Sequence, residues 1–200
     1  MVNNMKKQNI RTASLKRNTK ETMIKIIFNL DGNGESNIKT NFNFFNHLLV
    51  SFAYHGRFNI SVEATGDLQH HIIEDIGITL GQAFKKALGD RKNITRFGKS
   101  ILPMDESLVI TGVDLVKRPY SKIQLNLEGP KIEDTFTENI IHFLSSFAIN
   151  LESNIHIFNI YGENDHHKAE AAFKSLALAL REACNIDINR NDVPSTKGVI

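Results

Sequence analysis

HLLVSFA at residues 47–53 and HFLSSFA at residues 142–148 are one stretch written twice, offset by 95 residues from His47 to His142. A second pair follows at nearly the same spacing: HHIIE at 70–74 and HHKAE at 166–170, offset by 96 from His70 to His166. The helices opened by these clusters align as well. Ile76, Leu80, Phe84 and Ala87 correspond to Ala172, Leu176, Leu180 and Ala183, and steps of four, four and three put each set on one helical stripe. The chain therefore reads as an internal duplication of two halves, 12–95 and 106–190. Residues 191–200 form a C-terminal tail.

Working outward, alternating segments supply the strands. Thr22-Ile24-Ile26-Phe28-Leu30, Phe58-Ile60-Val62-Ala64, Ile123-Leu125-Leu127 and Ile155-Ile157 each interleave apolar with polar residues. DGNG at 31–34 predicts a turn closing a hairpin after the first strand. Each half reads as strand, strand, helix, strand, helix. The fold class is α+β, an internally duplicated half-domain, with two sheets and helices packed between them or on one face of each. GDRK and LPMD interrupt the periodicity and predict a linker near 89–106.

Composition narrows the function classes. The 200 residues are 41% hydrophobic, with Phe 13 and Trp 0, and suit a single domain with a real interior. Lys+Arg 24 against Asp+Glu 22 leaves a net charge of +2, which gives no bulk argument for nucleic-acid or membrane-surface binding. No apolar run approaches the ~18 residues that span a bilayer. The first twenty residues are basic and lack acids, yet have no apolar core, so a polar lead-in is expected rather than a secretory signal. One cysteine, Cys184, allows no internal disulfide and falls on an apolar helix stripe, as a core filler would. A cytoplasmic location is the expectation.

Six of the eight histidines (His47, His70, His71, His142, His166 and His167) occupy equivalent positions of the two halves. A lone HH pair is weak evidence for anything. A duplicated one is different, because a purely structural repeat has no need to keep histidines while their neighbours drift. In HHxxE the first His and the Glu share a helix face, one turn apart, whereas the second His is rotated by ~100° and points elsewhere. His47 and His142 lie off the apolar stripes of their helices and are free to add a donor. With Glu74 and Glu170 the set is six imidazoles and two carboxylates, which suits two cations of higher coordination. Manganese, iron, cobalt and zinc all accept such donors.

RNTKET (17–22), FNHLL (45–49), HGRF (55–58), HHIIED (70–75), LGQAF (80–84), RFG (96–98), PMDE (103–106), NDHHKAE (164–170) and PSTKG (194–198) together resemble one family, imidazoleglycerol-phosphate dehydratase. The resemblance runs along most of the chain and carries specific expectations. It implies a single monofunctional dehydratase domain that removes water from D-erythro-imidazole-glycerol phosphate to give imidazole-acetol phosphate, a step of histidine biosynthesis. It implies two Mn2+ per active site on His47, His70, His71, Glu74, His142, His166, His167 and Glu170. Cations there would stabilise charge pushed into the substrate's imidazole while a poorly acidic C–H proton is removed. Glu21 matches the family's acid/base, with His47, His71, Glu74, His167 and Glu170 also in the catalytic set. Arg96, Arg118, Ser195 and Lys197 match phosphate contacts, where an Arg fork and a Lys point charge suit a dianion. His55, like His47, His70 and His71, matches a substrate-side position. The resemblance also implies a homo-oligomer of twenty-four subunits with sites completed between subunits.

The chain departs from the family pattern in three places. The family's two aspartates before the first HH pair are absent, and a shortened GDLQ leads straight into His70. Ile72 stands where the family has threonine, and Asn46 where it has aspartate. These positions bear on the groups that orient the imidazoles. Two other readings of the donor set stay open from the residues alone. One is a dinuclear metallohydrolase acting on a phosphate ester, recognised by released phosphate. The other is a metal-stabilised shell or nucleic-acid module, since similar α+β halves occur in ribosomal proteins.

Overall fold

The computed structural model describes residues 11–199, so the first ten residues of the basic lead-in lie outside the described residues. The first half comprises β1 (Thr12–Asn18), β2 (Thr22–Asn29), β3 (Ser36–Lys39), α1 (Asn43–Gly56), β4 (Asn59–Gly66) and α2 (Gln69–Leu88). The second comprises β5 (Phe97–Met104), β6 (Ser107–Asp114), β7 (Tyr120–Gln124), the short β8 (Lys131–Ile132) and β9 (Thr135–Phe136), α3 (Thr137–Leu151), β10 (Asn154–Tyr161) and α4 (Asp165–Cys184). The sheets run β1-β2-β4-β3 and β5-β6-β10-β7, the same order twice. In each, the first three strands are antiparallel and the last pair is parallel. A parallel pair needs a crossover, which α1 supplies from β3 to β4 and α3 from β7 to β10.

The helices lie between the two sheets. α2 packs on β1, β2 and β4, and α4 on β5 and β6, while across the middle α2 meets α3 and α1 meets α4. Helix partners thus come from opposite halves. Period-two alternation drives the sheet faces inward: Ile24, Ile26 and Phe28 on β2, and Ile155 and Ile157 on β10, are at most 0% exposed. Phenylalanines stitch the layers together, with ring centroids at 4.8 Å for Phe28–Phe84, 5.9 Å for Phe84–Phe147 and 5.4 Å for Phe143–Phe173. Cys184 is a core filler as expected, and burial pushes its thiol up to about 12.

Helices α2 and α3 approach closely because two residues lack side chains. A Cβ at Gly77 would lie 2.9 Å from the Phe143 carbonyl oxygen, and one at Gly81 2.6 Å from that of Phe147. Gly98 on β5 is tighter still, its Cβ position lying 1.8 Å from the Ala179 carbonyl oxygen on α4. Gly98→Ala is therefore expected to destabilise the protein by about 3 kcal/mol or more, the upper range for overpacking. A lowered urea midpoint with unchanged slope would report it; an unchanged midpoint would contradict the close approach.

Three sequence expectations about the strands need correction. DGNG at 31–34 does not close a hairpin, because β3 lies beyond β4 and does not pair with β2. The loop is organised by Asn59 at the start of β4, whose Oδ1 accepts from the N–H groups of Asn33, Gly34 and Glu35 at 2.9, 3.1 and 3.1 Å. The first hairpin instead turns between β1 and β2, where Thr19 Oγ1 accepts from Glu21 and Thr22. The linker does not extend to 106, and the second half starts at β5 rather than at 106. Pro103 reads as a break but sits in the edge strand β5, where a missing N–H costs no ladder bond. The connection at 89–96 is itself anchored, since buried Arg91 donates to the Leu151 and Glu152 carbonyls at 2.6 and 2.8 Å and so closes the end of α3. Finally, β7 stops at Gln124, before Leu125 and Leu127; Asn126 has a positive φ of 52° that ends the extended run.

Candidate metal centre

Among the described residues, two groups of three donors emerge at the two cross-half helix contacts. His70 and Glu74 of α2 meet His142 of α3, and His166 and Glu170 of α4 meet His47 of α1, with all donor atoms in each group within 4.8 Å of one another. His142 Nε2 lies 3.0 Å from Glu74 Oε1, and His70 Nε2 3.9 Å from Glu74 Oε2. In the other group His47 Nε2 and His166 Nε2 lie 3.1 and 3.4 Å from Glu170 Oε2. Each i,i+4 pair brings two donors to one helix face, and the neighbouring helix from the other half adds the third. The His47 group lines an open cleft of about 700 Å³ with Asn43, Phe44, Glu133 and Asp134.

The donor chemistry fits a divalent cation. His142 Nε2 is a buried nitrogen with no hydrogen-bond partner, although Glu74 Oε1 is close; the two point at common space without being aligned for a proton between them. Burial works to raise the pKa of Glu170, but hydrogen bonds from Lys174 and His47 overcome it and hold the carboxyl at about 2. It is therefore a ready anionic donor. The Lys174 ammonium sits 2.8 Å from Glu170 Oε1. Among the described residues no lysine serves Glu74 in this way, because Ile78 occupies the equivalent place on α2.

The second histidine of each pair faces away from its own group, as a rotation of ~100° per residue dictates. His71 Nδ1 lies 2.8 Å from Asp67 Oδ1 and 3.7 Å from Glu21 Oε2. His167 Nδ1 lies 2.7 Å from Glu106 Oε2. These carboxylates stabilise the protonated rings and raise both pKa values, through Asp67 for His71 and Glu106 for His167. Glu21 and Glu106 hold matching places at the tips of the β1–β2 and β5–β6 hairpins, but their states differ. Glu106 accepts from the Asn164 N–H, the His167 ring and Ser107 Oγ and is drawn well below the usual carboxylate range. Glu21 is half exposed and carries no such set. Its hairpin is fixed to α2 by Asp75, which accepts from Arg17 Nε at 2.7 Å and from Thr22 Oγ1.

The expected phosphate contacts fall elsewhere. Arg96, with a left-handed φ of 74°, is forked onto Asp114 at 2.7 and 3.0 Å and donates to the Pro194 carbonyl at 2.9 Å. That last bond brings the tail, with Ser195 and exposed Lys197, beside Arg96. Arg118 is exposed between β6 and β7, and no hydrogen bond or ion pair joins it to the other three among the described residues. His55 is partly buried at the end of α1; burial first, and then the nearby Lys174 cation, lower its pKa. Sequence reasoning passed over Lys174, Glu106 and Asn139, whose Oδ1 lies 2.8 Å from His70 Nδ1. An i,i+4 Glu–Lys spacing marked Lys174, and equivalence to Glu21 marked Glu106. Nothing in the repeat marked Asn139, because its counterpart is Phe44.

Comparison with known proteins identifies the family. The family profile for imidazoleglycerol-phosphate dehydratase matches residues 40–180. Curated imidazoleglycerol-phosphate dehydratases from Caldicellulosiruptor bescii and Chloroherpeton thalassium are 46% and 47% identical, each over 95% of this chain and 98% of the relative. Solved structures agree in shape. The enzyme from Pyrococcus furiosus superposes with a TM-score of 0.82 at 39% identity, over 93% of this chain and 100% of that one. That from Staphylococcus aureus gives 0.81 at 34% identity, over 88% and 99%. With the family profile spanning both donor groups and relatives matching nearly end to end, this chain belongs to the imidazoleglycerol-phosphate dehydratase family, the dehydratases of histidine biosynthesis.

Proposed function

We propose that the chain catalyses metal-dependent dehydration of D-erythro-1-(imidazol-4-yl)glycerol 3-phosphate to 3-(imidazol-4-yl)-2-oxopropyl phosphate and water. The observation that carries the metal dependence is the pair of repeat-equivalent donor groups, with His142 Nε2 buried 3.0 Å from Glu74 Oε1 and without an aligned hydrogen bond. His47, His70, Glu74, His142, His166 and Glu170 would hold two Mn2+, with His71 and His167 as further donors. Bound cations would supply Lewis-acid stabilisation of negative charge on the substrate's ring and hydroxyls.

The chain's own groups account for the remaining steps. In this reaction the hydroxyl leaves from the carbon that carries the ring, and the proton leaves from its neighbour. The resulting enol takes a proton on the ring-bearing carbon to become the ketone. Glu21 is the carboxylate available to move that proton, since it is exposed at a hairpin tip and unlocked, whereas Glu106 is fully engaged. Arg96, Arg118, Ser195 and Lys197 would hold the phosphate, with Arg96 kept in place by Asp114. His71 and His167 point away from the donor groups of their own chain. That supports completion of each site by a neighbouring subunit, in a homo-oligomer of twenty-four.

The test is turnover of the imidazole-glycerol phosphate by purified protein, read as the enolisable ketone absorbing in alkali. Activity should vanish on chelation and return with Mn2+, and gel filtration should show a large assembly. Full activity in chelator, or an active monomer, would overturn the reading.

A further inference from the structure

His70 has its proton placed by a relay that its counterpart His166 lacks. The Phe136 N–H can only donate, and it reaches a Gln69 side-chain atom at 2.9 Å, which must be Oε1. The Asp134 carbonyl can only accept, and the other Gln69 atom lies 2.8 Å from it, so that atom is Nε2. The Asn139 atom 3.1 Å from Gln69 Oε1 must then be Nδ2, which leaves Oδ1 facing His70 Nδ1 at 2.8 Å. An amide oxygen accepts and never donates. His70 Nδ1 therefore carries a hydrogen, and in the neutral ring the Nε2 lone pair is the one that points toward Glu74 and His142. Asn139 is 2% exposed, so no solvent competes for it.

None of this is repeated in the other half. Phe44 stands where Asn139 would be, and its ring centroid lies 4.7 Å from that of His166. Asp165 stands in the place of Gln69 but turns to the Glu128 and Gly129 N–H groups at 2.8 Å and to Lys168 at 3.0 Å. His166 Nδ1 has Glu133 at 3.8 Å, beyond hydrogen-bond reach. We infer that Asn139, held by Gln69, is a positioning residue that fixes His70 in the metal-ready tautomer, so that the α2–α3 donor group is the preset, tighter cation site of two.

This inference rests on the metal-dependent reading, and the experiment separates the two. Mn2+ is titrated into the chelator-stripped assembled protein, its bound stoichiometry and affinities are counted, and Asn139→Leu and Asn139→Asp are compared. In Asn139→Leu one ion should weaken by about 10–100-fold, the usual cost of losing a group that orients a metal-bound imidazole, while the other holds. Asn139→Asp should lose less than Asn139→Leu, because one carboxylate oxygen still accepts from His70 Nδ1 although the other now faces Gln69 Oε1. Unchanged affinities in Asn139→Leu, or equal losses in both variants, would overturn the relay and leave the functional reading intact. No Mn2+ bound by the unaltered protein would defeat the functional reading instead. Should the leucine variant fail to fold, Asn139→Ala takes its place, and unchanged Mn2+ affinities in it would overturn the relay.

Discussion

Glu21→Gln should lower kcat by about 10²–10⁴-fold, the range for loss of a general acid–base, without disturbing the assembly or its metal content. The side chain takes no part in the core or in either donor group, and its hairpin is fixed by Asp75, Arg17 and Thr22, none of which the substitution touches. Glutamine keeps the shape and loses the charge and the ability to take up a proton, while Asp67 still holds His71 Nδ1 at 2.8 Å. A structural residue of this exposure would show an effect within about 0.5 kcal/mol and no loss of turnover. Gel filtration, metal analysis and kcat on the same preparation make the distinction. Retained kcat would remove Glu21 from the chemistry.

The second large effect is expected at His142. Removing its ring in His142→Ala leaves His70 and Glu74 alone in the α2–α3 group. Lewis-acid stabilisation is worth several kcal/mol, and each 1.4 kcal/mol is tenfold in rate, so kcat/KM should fall by about 10³-fold or more. Bound Mn2+ should drop by one ion per chain. The ring is 42% exposed at its side chain, so little core packing is lost and the melting temperature of the metal-free protein should barely move. Two tightly held ions in this variant would show that the donor group is not a binding site.

Much of the architecture was legible because duplication prints the same apolar stripes twice. The strands from Thr22 and Phe58, the helices after each HH pair and the outward swing of His71 and His167 all follow from periods of 2 and 3.6. What was illegible depended on long-range partners. Asn59 pulls the 31–34 loop across the end of β4, 26 residues from Asn33. Pro103 was read as a break because sequence does not say which strand is an edge. The meeting of α2 with α3 and of α1 with α4, which draws each donor group from both halves, is a property of layer packing that no local period encodes. Asn139 could not be read at all: its role depends on Gln69, 70 residues away, and on two backbone groups of a two-strand ribbon.

The bare Cα positions of Gly77 and Gly81 have one further consequence. Gly77 lies less than one turn along α2 from Glu74, and the backbone it touches belongs to Phe143, the residue after His142. The gap across which Glu74 and His142 face each other is therefore gauged first by the Phe143 carbonyl against the Gly77 backbone, with the Phe143 ring and Ser146 Cβ close behind. On α4 the matching places hold Phe173 and Ala177, so the glycine pair is not repeated there. A single methyl wedged at Gly77 would be felt first as a change of bite between those two donors.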